Sequence, residues 1–385
     1  MPRCLIFSVL FLTCAGTLLS QDPDDERPGF SRPRRASGTQ VVRAQEGSHP
    51  FDGDWPALAA VPLERSHYRW SAEYLDAARR EAYVDADIGE GHRLGARQAA
   101  SGPLSKAPPR GLTFDGLNRL TSAYLGIIAY PPDPNLAVSK TAIIQATNIA
   151  VRLTNRQGVE IDRQPLNNFL GFNSNSVLFD PKVYFDRLSG RFYVVALEQS
   201  ESPRRSGIWI AVSKNGNPSA LRAPQDFCTY RISGNRGGSW ADYPTIGINE
   251  DWFAIGVNNF RFNDGGFRRA HVYVMAVDRI TDNAQSCPTL GVKRFNVREN
   301  PDGEPVFGIH PAQHYNKNNF PGTPLFMVSA AFFLPSAQYT LWQITTGTAG
   351  APMLSSQILT GDFSYSFAPA APQRGGSDLD PGDPR

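Results

Sequence analysis

The chain has 385 residues, 41% of them apolar, and a formal net charge of +2. That length holds one large domain or two ordinary ones, and the near-neutral balance excludes a dedicated nucleic-acid binder, which would carry a strongly basic face. With 34 Gly, 31 Pro and an aromatic content of 11%, the composition suits an all-β protein with many turns.

Residues 1–20 have the layout of a secretory signal peptide. Met1-Pro2-Arg3 gives a positive start, Cys4 to Leu19 an apolar run, and Ser20 a small residue ahead of polar Gln21-Asp22-Pro23. A membrane anchor needs about 20 unbroken apolar residues, and Thr13, Gly16 and Thr17 dilute this run. Nothing later is long and apolar enough to span a membrane. The expected product is therefore exported, to the medium, the periplasm or the cell surface.

Residues 21–110 are rich in Pro, Arg, Asp, Gly and Ser and are expected to be weakly ordered. One short helix is expected at 71–84, capped by Ser71, with Tyr74, Leu75, Ala78 and Ala82 on one face. Residues 103–110 read as a linker.

From 111 to 385 the texture changes to short strands of period 2. A first set is expected at 131–138, 142–147, 149–153 and 159–161. A second runs 179–186, 191–197, 208–213 and 227–232. A third runs 243–248, 252–257, 272–277 and 292–297. A fourth runs 310–315, 325–331, 339–344 and 353–359. In the second set Gly190 supplies the positive φ that closes the turn after Arg187-Leu188-Ser189. Residues 200–206 and 260–269 are expected as long loops. Each set opens on a similar dipeptide: Asp133-Pro134, Asp180-Pro181, Asp242-Tyr243-Pro244 and His310-Pro311. A four-stranded unit recurring every ~50–70 residues predicts a β-propeller with long loops rather than a plain sandwich. Pro suits the first residue of an innermost strand, and a preceding Asp can accept bonds from nearby backbone N–H groups.

The runs Pro131 to Val138, Phe179 to Val183, Asp186 with Ser189-Gly190-Arg191-Phe192, Ile210 to Lys214 and Trp240 to Pro244 resemble a group of secreted, mostly bacterial β-propellers. That group is distantly similar to sialidase-like and Asp-box propellers. The resemblance covers residues 117 to the end. It implies a propeller fold and export, and no activity, since the group has no settled one. It also implies more blades than the four that are complete here. Residues 368–373 and 378–383 look like the entry to another, so the chain is expected to be incomplete at its C-terminus.

The mature chain keeps Cys228 and Cys287, an even pair that invites a disulfide in an exported protein; two separate buried thiols are the alternative. Asp133, Asp180, Asp242 and His310 are expected near one mouth of the channel. Clustered carboxylates suit calcium, the one cofactor the sequence suggests. They equally suit acid/base pairs, or each Asp simply braces its own turn. Trp209, Trp240, Trp252 and Trp342 suit either a sugar-stacking platform or packing between blades. His310 and His314 on one strand lie too far apart to share an ion. Glu198 and Glu250 sit at hairpin positions with no role assigned, and no catalytic residue identifies itself. The expected function is a secreted module that binds extracellular glycan or protein through loops at the channel mouth. A sialidase-like glycan hydrolase and a structural envelope protein are the alternatives.

Overall fold

The computed structural model describes residues 112–117, 132–173, 178–281, 287–315, 322–330, 338–347 and 350–360, with the backbone of four short strands elsewhere. The signal peptide expected at 1–20, the helix expected at 71–84 and the blade entry expected after 361 lie outside the described residues. Before residue 130 the backbone forms β1 (Arg34–Arg35), β2 (Gly38–Val42), β3 (Val61–Pro62) and β4 (Ile127–Ile128).

Four antiparallel meanders follow. The first holds β5 (Asn135–Val138), β6 (Ala142–Ala146), β7 (Ala150–Asn155) and β8 (Glu160–Pro165), then a short helix α1 (Leu166–Leu170). The second holds β9 (Phe179–Asp186), β10 (Arg191–Glu201), β11 (Arg204–Ser213) and β12 (Phe227–Ser233). The third holds β13 (Ser239–Ile248), β14 (Trp252–Arg261), β15 (Phe267–Ala276), helix α2 (Val277–Thr281) and β16 (Leu290–Val297). The fourth holds β17 (His310–Pro311), β18 (Leu325–Ala330), β19 (Gln338–Thr346) and β20 (Pro352–Thr360). The first strands stand side by side in the order β5, β9, β13, β17. This is the arrangement of propeller blades, and the fold is an all-β propeller type built from four-stranded sheets.

Alternation within strands decides which neighbouring blade each side chain meets. In β10, Phe192, Val194 and Ala196 join the core between the first two blades, with Ile144, Leu153 and Phe169. The intervening Tyr193, Val195 and Leu197 join the core between the second and third, with Ile255, Tyr273 and Val292. In β14 and β15, Trp252, Ala254, Val272 and Val274 face the fourth blade, where Trp342 and Ile344 meet them. Both faces of the inner blades are thus covered, which is why β10 reads as an unbroken apolar run. Each fully buried large side chain contributes roughly 1.5–3 kcal/mol.

The N-terminal region adds fifth strands that the sequence did not suggest. β2 pairs antiparallel with β16, and β1 pairs antiparallel with β20. β2 thus becomes the outer strand of the third blade, and β1 covers Met353 and Leu354 of the fourth.

Turn chemistry follows the sequence at the second blade. The Asp186 carboxylate accepts from the N–H groups of Leu188 and Ser189, and Gly190 takes φ 67°. Elsewhere the strands outrun their expected limits. The loop expected at 200–206 shrinks to a two-residue turn, because β10 and β11 pair as far as Glu201 and Arg204. Pro203, with no N–H to give a ladder, sits in that turn. The loop expected at 260–269 shortens to 262–266 between β14 and β15. The strand expected at 310–315 pairs with β18 only over His310–Pro311. Just beyond, Ala312 bridges two strands, its N–H donating to Phe326 O of β18 and its carbonyl accepting from Ile248 N–H of β13, and His314 N–H then donates to Ile248 O.

Candidate functional site

The four first strands surround an open cavity of ≈ 790 Å³. β5 lines it with Asn135 to Val138, β9 with Lys182 to Phe185, and β13 with Tyr243, Thr245 and Ile246. His310, Pro311, Gln313 and Tyr315 close the fourth side, and Arg187 stands at its edge. Pro134 precedes β5, whereas Pro181 and Pro244 lie within β9 and β13 and Pro311 ends β17.

Aromatic and aliphatic groups make up most of this lining, with Lys182 and Arg187 as its cations. Tyr243 of β13 is 46% exposed and Tyr315, beyond β17, is 53% exposed. The Lys182 ammonium lies 5.5 Å from the Tyr243 ring centroid, a cation–π distance. The His310 ring meets Tyr243 edge-on at 6.1 Å. Burial and then the Lys182 charge hold His310 below its usual range, so it stands neutral near pH 7. Tyr184 donates to the His314 carbonyl at 3.4 Å, and Tyr315 donates to Gln313 Oε1 at 3.2 Å. Burial also holds His314 below the usual range. None of the lining residues is an Asp or Glu.

Behind the lining, the blade entries share one backbone conformation. Asp133 (φ 44°), Asp180 (φ 51°) and Tyr243 (φ 48°) all take left-handed φ, each directly before a proline. For a residue with a side chain this costs on the order of 1–2 kcal/mol, so the surroundings must impose it. The three are equivalent positions. Asp242, which the sequence aligned with Asp133 and Asp180, is one residue out. Its place is taken by Tyr243, because the β13–β14 register shifts between Asp242 and Thr245.

The structure sets Asp180 beside Asp133 and beside the backbone of Tyr243, the residue after Asp242. Asn148 bridges the first two blades: its Nδ2 donates to Asp133 Oδ2 at 2.6 Å, and its Oδ1 accepts from Asp180 N–H at 2.6 Å. Burial and then the Asp133 charge push Asp180 up to about 7. Asp242 is fully buried, its Oδ1 accepts from Tyr243 N–H at 2.7 Å, and its Oδ2 has no partner among the described residues. Burial pushes it up to about 7 as well. No group of three His, Cys, Asp or Glu that could hold a metal occurs among the described residues.

The other candidates take structural places. Trp209, Trp240, Trp252 and Trp342 are all buried and pack in or between blades. Glu198 is buried as the acceptor of Trp209 Nε1 at 3.0 Å and Arg231 Nε at 2.7 Å. Cys228 and Cys287 form a disulfide with a Cα–Cα distance of 5.3 Å, tying β12 of the second blade to the segment before β16 of the third. The tyrosines of the cavity were missed in the sequence. For Tyr243 the signal was the proline that follows it, which matches it to Asp133 and Asp180.

No protein-family model and no curated protein sequence matches the chain. Among solved structures, the chain is similar to the polysaccharide lyase Uly1 at 8% identity and a TM-score of 0.28, over 60% of this chain and 58% of the lyase. It is similar to the GH93 α-L-arabinofuranosidase of Fusarium graminearum, solved with arabinobiose, at 8% identity and a TM-score of 0.25, over 59% and 92% of the two chains. The Bacillus subtilis arabinanase Arb43A gives 10% identity and a TM-score of 0.21, over 59% and 94%. Likenesses of this size bear on neither activity nor substrate. The fold assignment rests on the sheets themselves.

Proposed function

We propose that this protein is an exported binding module that takes an extracellular glycan in the cavity between its four first strands. The observation that carries the reading is the lining. Exposed Tyr243 and Tyr315 offer ring faces to the apolar side of a sugar, and Lys182, Arg187, Asn135 and Gln313 offer polar groups to its hydroxyls. Mostly apolar or aromatic walls with a few placed polar groups are what a small-ligand site requires. Export is argued from residues 1–20 and from the Cys228–Cys287 bridge, since disulfides persist in oxidising compartments.

The hydrolase alternative is less well served. Glycoside hydrolysis usually takes two carboxyls flanking the scissile bond, about 5–9.5 Å apart. Asp133 and Asp180 stand within hydrogen-bond reach of each other, closer than that spacing, and they do not line the cavity. The test is an array of extracellular glycans, followed by incubation of every hit with the protein and product analysis. Binding without new reducing ends supports the module. Product formation supports the hydrolase, and an array with no hits removes glycan from the reading.

A further inference from the structure

The third blade carries a second polar cluster, at its outer rim and away from the cavity. Residues 269, 271 and 273 of β15 alternate onto one face of the sheet. Their partners on β16 share that face, since Tyr273 pairs with Arg294 and His271 with Asn296. Arg298 follows just beyond the strand. Across β14, Arg269 pairs with Asn259, which is fully buried. The linker from β12 to β13 brings Arg236 onto the same group, and Arg268 donates to the carbonyls of Arg236 and Gly237.

Five arginines thus meet at one place. Nearby Arg231 is paired with Glu198 at 2.7 Å, and Arg261 with Asp264 at 2.8 Å. No salt bridge among the described residues joins Arg268, Arg269 or Arg298 to a carboxylate. Glu299, Asp302 and Glu304, next in the chain, form none with the cluster. His271 is only 2% exposed, and one buried donor points the same way: Arg269 Nε is enclosed without a hydrogen-bond partner among the described residues. Such groups are costly to leave unmet. Burial, and then Arg298, Arg268 and Arg294, hold Arg269 below the usual arginine range. Burial, with Arg294 and Arg269 beside it, holds His271 at about 3 and therefore neutral.

We propose that Arg269, with Arg236, Arg294 and Arg298 around it and His271 beneath, forms an anion site that takes a sulfate or phosphate group. A tetrahedral oxyanion offers several acceptors in different directions, and guanidinium forks from two strands and a linker approach from different directions. It would also relieve repulsion among the like charges. The site does not depend on the glycan reading of the axial cavity, which lies at the other end of the blade's radius.

The test uses the full chain and two probes. Sodium sulfate at millimolar concentration is compared with sodium chloride at matched ionic strength, reading the melting midpoint. Dextran sulfate is compared with unsulfated dextran, reading affinity. The variants are Arg269→Gln and Arg298→Gln together, with Lys140→Gln on the first blade as control. The expected result is a sulfate-specific rise in the midpoint of the wild type and the control that the double variant loses. If dextran sulfate also binds and the double variant weakens it at least tenfold, the natural source is a sulfated or phosphorylated polymer. If only the small ion binds, the source is the free anion, and the site stands. A double variant that melts as a folded protein and still responds to sulfate and dextran sulfate as the wild type does would overturn the assignment. So would a wild type that does not distinguish sulfate from chloride.

Discussion

The Asp180 carboxyl stands within hydrogen-bond reach of the Asp133 carboxyl, across the junction of the first two blades. Both belong to residues held at left-handed φ before a proline, and Asn148 clamps the pair from behind. Burial keeps a proton on this junction and on Asp242 beyond the usual carboxylate range, each pushed up to about 7.

That shift fixes the sign of a pH effect. In the unfolded chain these groups ionise near 3.8, whereas the folded chain keeps their protons until about 7. Their contribution to stability is full below the unfolded value, falls as pH rises through this window, and is lost above it. His271 acts in the opposite sense: held at about 3, it costs stability as pH falls below the usual 6.5. Comparing variants separates the two. Asp242→Asn keeps the acceptor for Tyr243 N–H and removes the buried charge. Its melting midpoint should match the wild type at pH ~4 and exceed it by several degrees at pH ~8, at roughly 2–4 °C per kcal/mol. Parallel pH profiles for the two proteins would show that Asp242 does not carry the shift.

Breaking the bridge between blades should be costly. Cys228 and Cys287 are 59 residues apart, and closing a loop of that size constrains the unfolded chain by about 4 kcal/mol. Urea unfolding of the Cys228→Ser, Cys287→Ser double variant should show a lower midpoint and a steeper slope, because the released unfolded chain exposes more surface. An unchanged midpoint would mean that the bridge adds nothing to the packing of Tyr230, Met275 and Leu290 around it.

Trp342→Ala should cost roughly 3–5 kcal/mol, the range for emptying a buried aromatic site. The ring is fully buried between the third and fourth blades, and its Nε1 donates to Ser329 Oγ at 2.9 Å. A loss below about 1 kcal/mol in chemical denaturation would mean that the fourth blade is not packed on the third as described.

Calcium should leave the melting midpoint unchanged. The ion takes 6–8 oxygen ligands, and no group of three His, Cys, Asp or Glu that could hold it occurs among the described residues. A rise with calcium, abolished by chelator and by Asp133→Asn, would place a metal at that junction.

The meanders were legible because their physics is local. Period-2 runs and the Asp186 to Gly190 turn need no distant partner, and the recurring X-Pro entries marked each first strand. The extra pairing of β1 and β2 was not legible, because Gly38–Val42 finds its partner across most of the chain at Leu290 to Arg294. The site failed for a smaller reason. Aligning the entries on Asp put Asp242 in the ring, whereas the common feature is the residue before proline, which in the third blade is Tyr243. The register shift at Asp242 to Thr245 moves the carboxyl inward and the tyrosine outward. Aligned on the prolines, the sequence would have set Tyr243 and His310 beside Asp133 and Asp180, and two of the four entries would have read as aromatic rings rather than carboxylates.

The most direct measurement is the affinity of the wild type and of Tyr243→Ala, Tyr315→Ala for a glycan that binds in the array. Both rings are exposed, so the double variant should keep the wild-type melting midpoint. Stacking of two sugar faces in the axial cavity predicts at least a tenfold weaker affinity for the double variant. Equal affinities, with both proteins folded, would contradict the axial cavity as the binding site.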